Sequence, residues 1–166
     1  GAQHLGGTPA ERGLWQNLRN PLDDRGPVLR ALLVALDRWV QSGQQPPESR
    51  YPRIDQGTLV SLDKFCAAFP KIPGVNLPKT FYRPARLDFG PRWDSQGIAD
   101  RVPPEIGPEY NTLVPAVDAD GNELAGIRLP EVAVPLATYT GWNLRSKEAG
   151  AEEMLAPFHG SYLPLA

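Results

Sequence analysis

The sequence predicts an α+β fragment: one helix near its beginning, a proline-rich extension, and a small antiparallel β hairpin or sheet near its end. Three observations predict it. Leu29, Leu32, Leu33, Leu36 and Val40 recur at the spacing of a single apolar helix face. Asp120-Gly121 sits between two apolar runs, a strong hairpin signal. The chain also carries 19 prolines and 16 glycines in 166 residues. Proline fixes φ and removes a backbone donor, so long regular elements are few.

The length suits one domain with a modest core. Hydrophobic residues make up 41% of the chain, with four Trp, five Tyr and five Phe, which is too apolar for a disordered composition. Net charge is −2, with no run of Lys or Arg, so the composition argues against nucleic-acid binding and against an anionic membrane surface. No stretch approaches the roughly 18 apolar residues of a membrane-spanning helix. The single cysteine, Cys66, excludes an internal disulfide and a multi-cysteine zinc site, and reads as a small buried hydrophobe. Two histidines, His4 and His159, are too far apart for a metal signature.

Residues 1–25 read as a loop, broken by Gly6, Gly7, Pro9, Gly13 and Pro21, with Trp15 and Leu18 able to pin it. A helix follows over 26–42. Asp23 or Asp24 offers its N-cap, Pro27 suits its first turn, Gly43 its C′ position, and Pro46-Pro47 forbids continuation. Such a face is too apolar to stand alone, so the helix is expected to dock on something. Residues 44–110 are expected to wrap over a surface, with short pieces such as Thr58-Leu59-Val60 pairing and Ser61-Leu62-Asp63-Lys64-Phe65 forming a helical turn under Asp63. Residues 113–117 and 123–128 form the expected hairpin, 132–139 a further strand, and 146–155 a short helix capped by Ser146. Pro115 and Pro135 mark edge or bulged strands. The apolar tail 162–166 carries no closing signal.

Four stretches carry a family resemblance. They are Gln3-His4-Leu5-Gly6-Gly7, the helix 29–39, Pro46-Pro47-Glu48-Ser49-Arg50-Tyr51-Pro52, and the long run 113–145 ending Tyr139-Thr140-Gly141-Trp142-Asn143. Together they resemble the C-terminal part of a bacterial family of α/β-hydrolase-domain-containing proteins, over nearly the whole chain. The resemblance implies three parts: a histidine loop and late helix of an α/β-hydrolase core over 1–43, a Pro-rich wrapping segment over 44–110, and a β-hairpin extension and tail over 111–166. It also implies a doubly wound α/β core, a serine nucleophile and a periplasmic or secreted location; no cofactor or metal is expected. In α/β-hydrolases the triad runs serine, acid, histidine along the chain, and His4 matches the family's histidine ahead of the late helix. Its role would be general base. Gly6 and Gly7 would let that loop turn beside the substrate. Tyr139, Trp142 and Asn143, an aromatic and amide cluster after the last strand, are candidate pocket residues.

The chain departs from the family in one respect: it has no Gly-x-Ser-x-Gly elbow. Ser42 and Ser161 lack the flanking glycines. The expected partners are therefore an N-terminal hydrolase core bearing the nucleophile and a small ester-like substrate. Two other readings stay open. One is a non-catalytic binding or structural module; the other is a calcium-stabilised β domain resting on the acidic turn Asp118-Ala119-Asp120-Gly121-Asn122-Glu123.

Overall fold

A computed structural model describes residues 12–22 and 25–165. Strand β1 (Leu18–Arg19) precedes helix α1 (Gly26–Ser42). The helix bounds follow the predicted apolar spacing. Pro27 occupies the first turn, and Gly43, at φ 70°, ends the helix by donating its N–H to the Trp39 carbonyl. Arg25 stands at the N-cap position and its side chain does not cap the helix, while Asp23 and Asp24 lie outside the described residues.

The apolar face of α1 is bare. No residue of the helix is buried. Leu29, Leu33 and Val40 are 61%, 65% and 77% exposed, and Leu32 and Leu36 are also exposed. Gln44, Gln45, Pro46 and Pro47 return along the flank formed by Ala31, Val34 and Ala35, leaving the leucine face uncovered. The docking expected for this face is not met among the described residues.

The remaining elements are short. Strand β2 (Leu59–Val60) is followed by α2 (Leu62–Ala68), whose N-cap Ser61 accepts a hydrogen bond from the Lys64 N–H. Then come β3 (Ala85–Asp88), α3 (Trp93–Gln96), β4 (Glu105–Glu109) and β5 (Val114–Pro115). The chain closes with α4 (Pro130–Ala133), β6 (Ala137–Tyr139) and β7 (Ser161–Pro164). Among the described residues three antiparallel sheets result: β1-β7-β6, β2-β5 and β3-β4.

Several expectations are corrected. The tail read as open is strand β7, the middle strand of its sheet, with Tyr162 opposite both Leu18 and Tyr139. The Asp-Gly turn forms, but the hairpin around it is reduced to one bridge between Val117 and Glu123. Strand β5 pairs with β2 instead, Leu59 facing Pro115, which fits the edge position expected for that proline. Leu124 still donates its N–H to the Ala116 carbonyl, but residues 125–128 leave the ladder as the Arg128 guanidinium donates to Asp118 and to the Val132 carbonyl, both at 2.7 Å. Pro130 starts the single turn of α4, so the strand expected from 132 begins only at Ala137.

The helix expected at 146–155 is a loop closed by a bridge between Leu144 and Leu155. Arg145 donates to the carbonyls of Ala149 and Gly150, and Gly150, Ala151 and Glu153 all adopt positive φ, which no right-handed helix accommodates. Within the wrapping segment, β3 and β4 form a long-looped hairpin. Its tip is tied by Arg92 to Asp100, by Arg101 to Asp88 and Glu105, and by Phe89 stacked on Trp93 at 4.5 Å.

The core lies between α2 and the β1-β7-β6 sheet. Phe65 and Phe69, four residues apart, present one face and meet Trp142, Leu144 and Leu163. Ring centroids are 5.5 Å apart for Phe65–Phe69 and 5.9 Å for Phe69–Trp142, tilted as aromatic quadrupoles favour.

Gly121 fixes the acidic turn against this core. Its φ is +77°, and a Cβ there would stand 2.8 Å from Thr138 Cγ2, 3.1 Å from Pro70 Cγ and 3.2 Å from Phe69 Cε2. Gly121→Ala combines a left-handed backbone penalty with overpacking, and is expected to destabilise the chain by about 3 kcal/mol. Urea unfolding measures this; a loss under about 1 kcal/mol would mean that the neighbours yield.

Candidate functional site

A cavity of about 330 Å³ opens where the core reaches the surface. Helix α2 and its end supply Phe65 and Phe69, β5 and its continuation supply Val114, Pro115 and Val117, and Phe81 closes one side. The opposite wall is Tyr139, Thr140, Gly141 and Trp142, running out of β6. Gly121 and Glu123 come from the acidic turn. Concave, mostly aromatic walls with few polar groups are the usual form of a small-molecule site.

Glu123 is the one charged side chain among the described residues lining this cavity. The bridge to Val117 fixes its backbone. The residue keeps solvent contact at the mouth, yet the protein crowded around its carboxyl is enough to push it above the usual carboxylate range. Glu123, Tyr139, Thr140 and Gly141 also line a second cavity of about 220 Å³ on the side of Asn20 and Ile127, so they form a partition between two hollows. Burial, then the neighbouring Tyr162 and Glu131, pushes the Tyr139 phenol up, which keeps it a hydrogen-bond donor.

Beneath this wall lies a hydrogen-bonded layer of buried polar side chains. Asn143 is fully buried. Its Oδ1 accepts from the N–H groups of Asn17 (3.2 Å) and Leu144 (2.9 Å), and its Nδ2 donates to the carbonyls of Asn17 (3.1 Å) and Gly160 (3.3 Å). Ser161 Oγ donates to the Trp142 carbonyl and accepts from Asn17 Nδ2. Asn20 Nδ2 donates to the Thr140 carbonyl. Asn122 Nδ2 donates to the Ala137 carbonyl, and its Oδ1 accepts the Tyr139 N–H. These bonds satisfy groups that would be costly to bury alone, and they hold the Tyr139–Trp142 wall in place.

The structure thus brings Tyr139 and Trp142 together at the cavity and turns Asn143 away from it, into the layer below. Trp142 belongs to both core and wall. His4, Gly6 and Gly7 lie outside the described residues. Ser161 is enclosed and Ser42 donates to the Arg38 carbonyl at the helix end, so neither is presented as a nucleophile. His159 is half-buried, with its ring tilted against Trp15 at 5.2 Å; burial, helped by Arg19, lowers its pKa. Cys66 packs at the margin of the core, where burial and then Asp63 push its thiol up and keep it unreactive.

The acidic turn is held by protein donors. Asp118 Oδ1 accepts the N–H groups of Asp120 and Asn122, both at 3.0 Å, and Oδ2 takes the Arg128 guanidinium. The side chain that would lead a calcium loop already has both oxygens engaged, which favours the hairpin-turn reading. No cluster of three or more His, Cys, Asp or Glu suited to a metal occurs among the described residues. Glu123 and the phenylalanine wall were not anticipated from sequence. The usable signals were the four-residue spacing of Phe65 and Phe69, and a glutamate directly after a turn that returns onto an apolar strand.

A family model described as an alpha/beta hydrolase domain matches residues 9–166, a span that begins after His4, Gly6 and Gly7. No curated protein and no solved structure matches the chain.

Proposed function

The chain belongs to the alpha/beta hydrolase domain family, and so to the hydrolase superfamily; from that premise we propose that it is the C-terminal portion of a serine hydrolase acting on carboxylic esters or related acyl compounds. The family match over 9–166 carries this reading. In it, a preceding hydrolase core supplies the serine, the oxyanion hole and the parallel sheet. The exposed leucine face of α1 supports the reading, because a helix of that core needs a sheet to lie on. The enclosed Ser161 and the helix-bonded Ser42 support a nucleophile supplied from elsewhere.

His4 acts as general base, taking the serine proton as oxygen attacks the carbonyl carbon. It then returns that proton to the leaving alkoxide, and repeats the cycle with water to release the acid. A carboxylate on its other nitrogen holds the ring. Gly6 and Gly7 let the loop pass close to the substrate. Tyr139 and Trp142 form a wall against the apolar part of the ester, and Asn143 anchors that wall from below.

The 166-residue chain by itself is expected to show no p-nitrophenyl ester turnover. A serine-reactive phosphonate should label the longer gene product on a serine outside these residues. Turnover by the chain alone, with the phosphonate found on Ser42 or Ser161, would overturn the proposal.

A further inference from the structure

The larger cavity combines two features that an ester pocket does not require together. Its walls are aromatic on several sides, with Phe65, Phe69, Phe81, Tyr139 and Trp142. Its only charged group among the described residues is one carboxyl, set at the mouth by the Val117–Glu123 bridge. Aromatic faces present negative potential to a cation, and a carboxylate completes the attraction. We propose that this cavity binds an organic ammonium with an aromatic or branched aliphatic body, the body lying between Phe69, Phe81 and Trp142 and the cation beside Glu123.

Three observations carry the argument. The volume of about 330 Å³ suits a body the size of a phenylalkyl group, at the small end of known ligand pockets. Among the described residues no ion pair engages Glu123, whereas Asp118, a few residues earlier, is matched by Arg128. The cavity also has a firm floor, because the residues behind Tyr139 and Trp142 are fixed by Asn122, Asn143 and Ser161. A preorganised wall binds with less ordering cost than a mobile one.

The inference rests on the hydrolase reading only in naming the bound group as part of a substrate, which would then be an ester carrying a cationic acyl or alcohol portion. Binding itself does not depend on catalysis. The test is calorimetric titration of the 166-residue chain with 2-phenylethylammonium and with 2-phenylethanol, its uncharged counterpart. The ammonium is expected to bind at least tenfold more tightly. Glu123→Gln should abolish that preference while leaving the alcohol's affinity unchanged, and Phe81→Ala, outside the buried core cluster, should weaken both ligands. Equal affinities, absent binding, or a preference that survives Glu123→Gln would each overturn the proposal. Ammonium binding by a gene product that never hydrolyses esters would instead sink the hydrolase reading alone.

Discussion

In the proposed serine hydrolase, His4→Ala is expected to lower kcat for ester hydrolysis by about a thousandfold or more. In that proposal one imidazole serves both half-reactions. It removes the serine proton when the acyl-enzyme forms and activates water when the acyl-enzyme breaks down, so its loss slows both steps. What survives is the contribution of substrate binding and of the oxyanion hole, which does not depend on the imidazole. KM should change little, because the histidine contributes to the transition state more than to ground-state binding. The rising limb of the pH–rate profile, which reports the base losing its proton, should vanish with the ring. Steady-state kinetics and a circular dichroism melt of the same preparation check this together. Unchanged kcat in a folded protein would remove His4 from the mechanism.

Asn143→Ala is expected to destabilise the fold by at least about 3 kcal/mol. The side chain is completely enclosed, and its amide serves four backbone groups drawn from Asn17, Leu144 and Gly160. Alanine leaves the Asn17 and Leu144 N–H groups without their acceptor and the Asn17 carbonyl without its donor, while the Gly160 carbonyl keeps the Asn20 N–H. Each buried unpaired group costs roughly 1–3 kcal/mol, and water has no route to all of them. Asn143→Asp should fare no better, since it turns a second acceptor toward two carbonyls and places charge in the interior. Chemical denaturation gives the answer. A midpoint shift worth less than about 1 kcal/mol would show that the three segments are held together by other means.

Legibility in the sequence followed locality. Helix α1 was legible because its signals are neighbours: five apolar residues at helical spacing, Pro27 at the start and Gly43 at the stop. A helical turn over 61–65 was legible for the same reason, but it was placed under Asp63, whereas Ser61 is the N-cap. The β1-β7-β6 sheet was not, because it joins residues near 18 and 162 through two- to four-residue strands with no periodicity to read. Its order is set by side chains such as Asn17 and Ser161, whose long-range bonds leave no local trace. Residues 146–155 misled because a serine before an acidic run has the look of a capped helix. Arg145 instead reaches forward to two carbonyls that the helix would have used.

At the candidate site, Tyr139 and Trp142 were legible as an aromatic cluster after a strand, which packing alone would also explain; the cavity lies against both. The direction of Asn143 was hidden. Which residues after a strand face a hollow and which face the interior depends on the partners beneath, and here those partners come from both ends of the chain.

The leucine ridge of α1 has a practical consequence at the bench. Its 17 residues form a rod about 25 Å long, greasy along one flank and wet along the other. Concentrating the chain should press such rods together, so its sedimentation coefficient should climb with loading while its circular dichroism stays constant. Leu33→Lys should keep the material dispersed without altering the spectrum, because that leucine supports nothing underneath it.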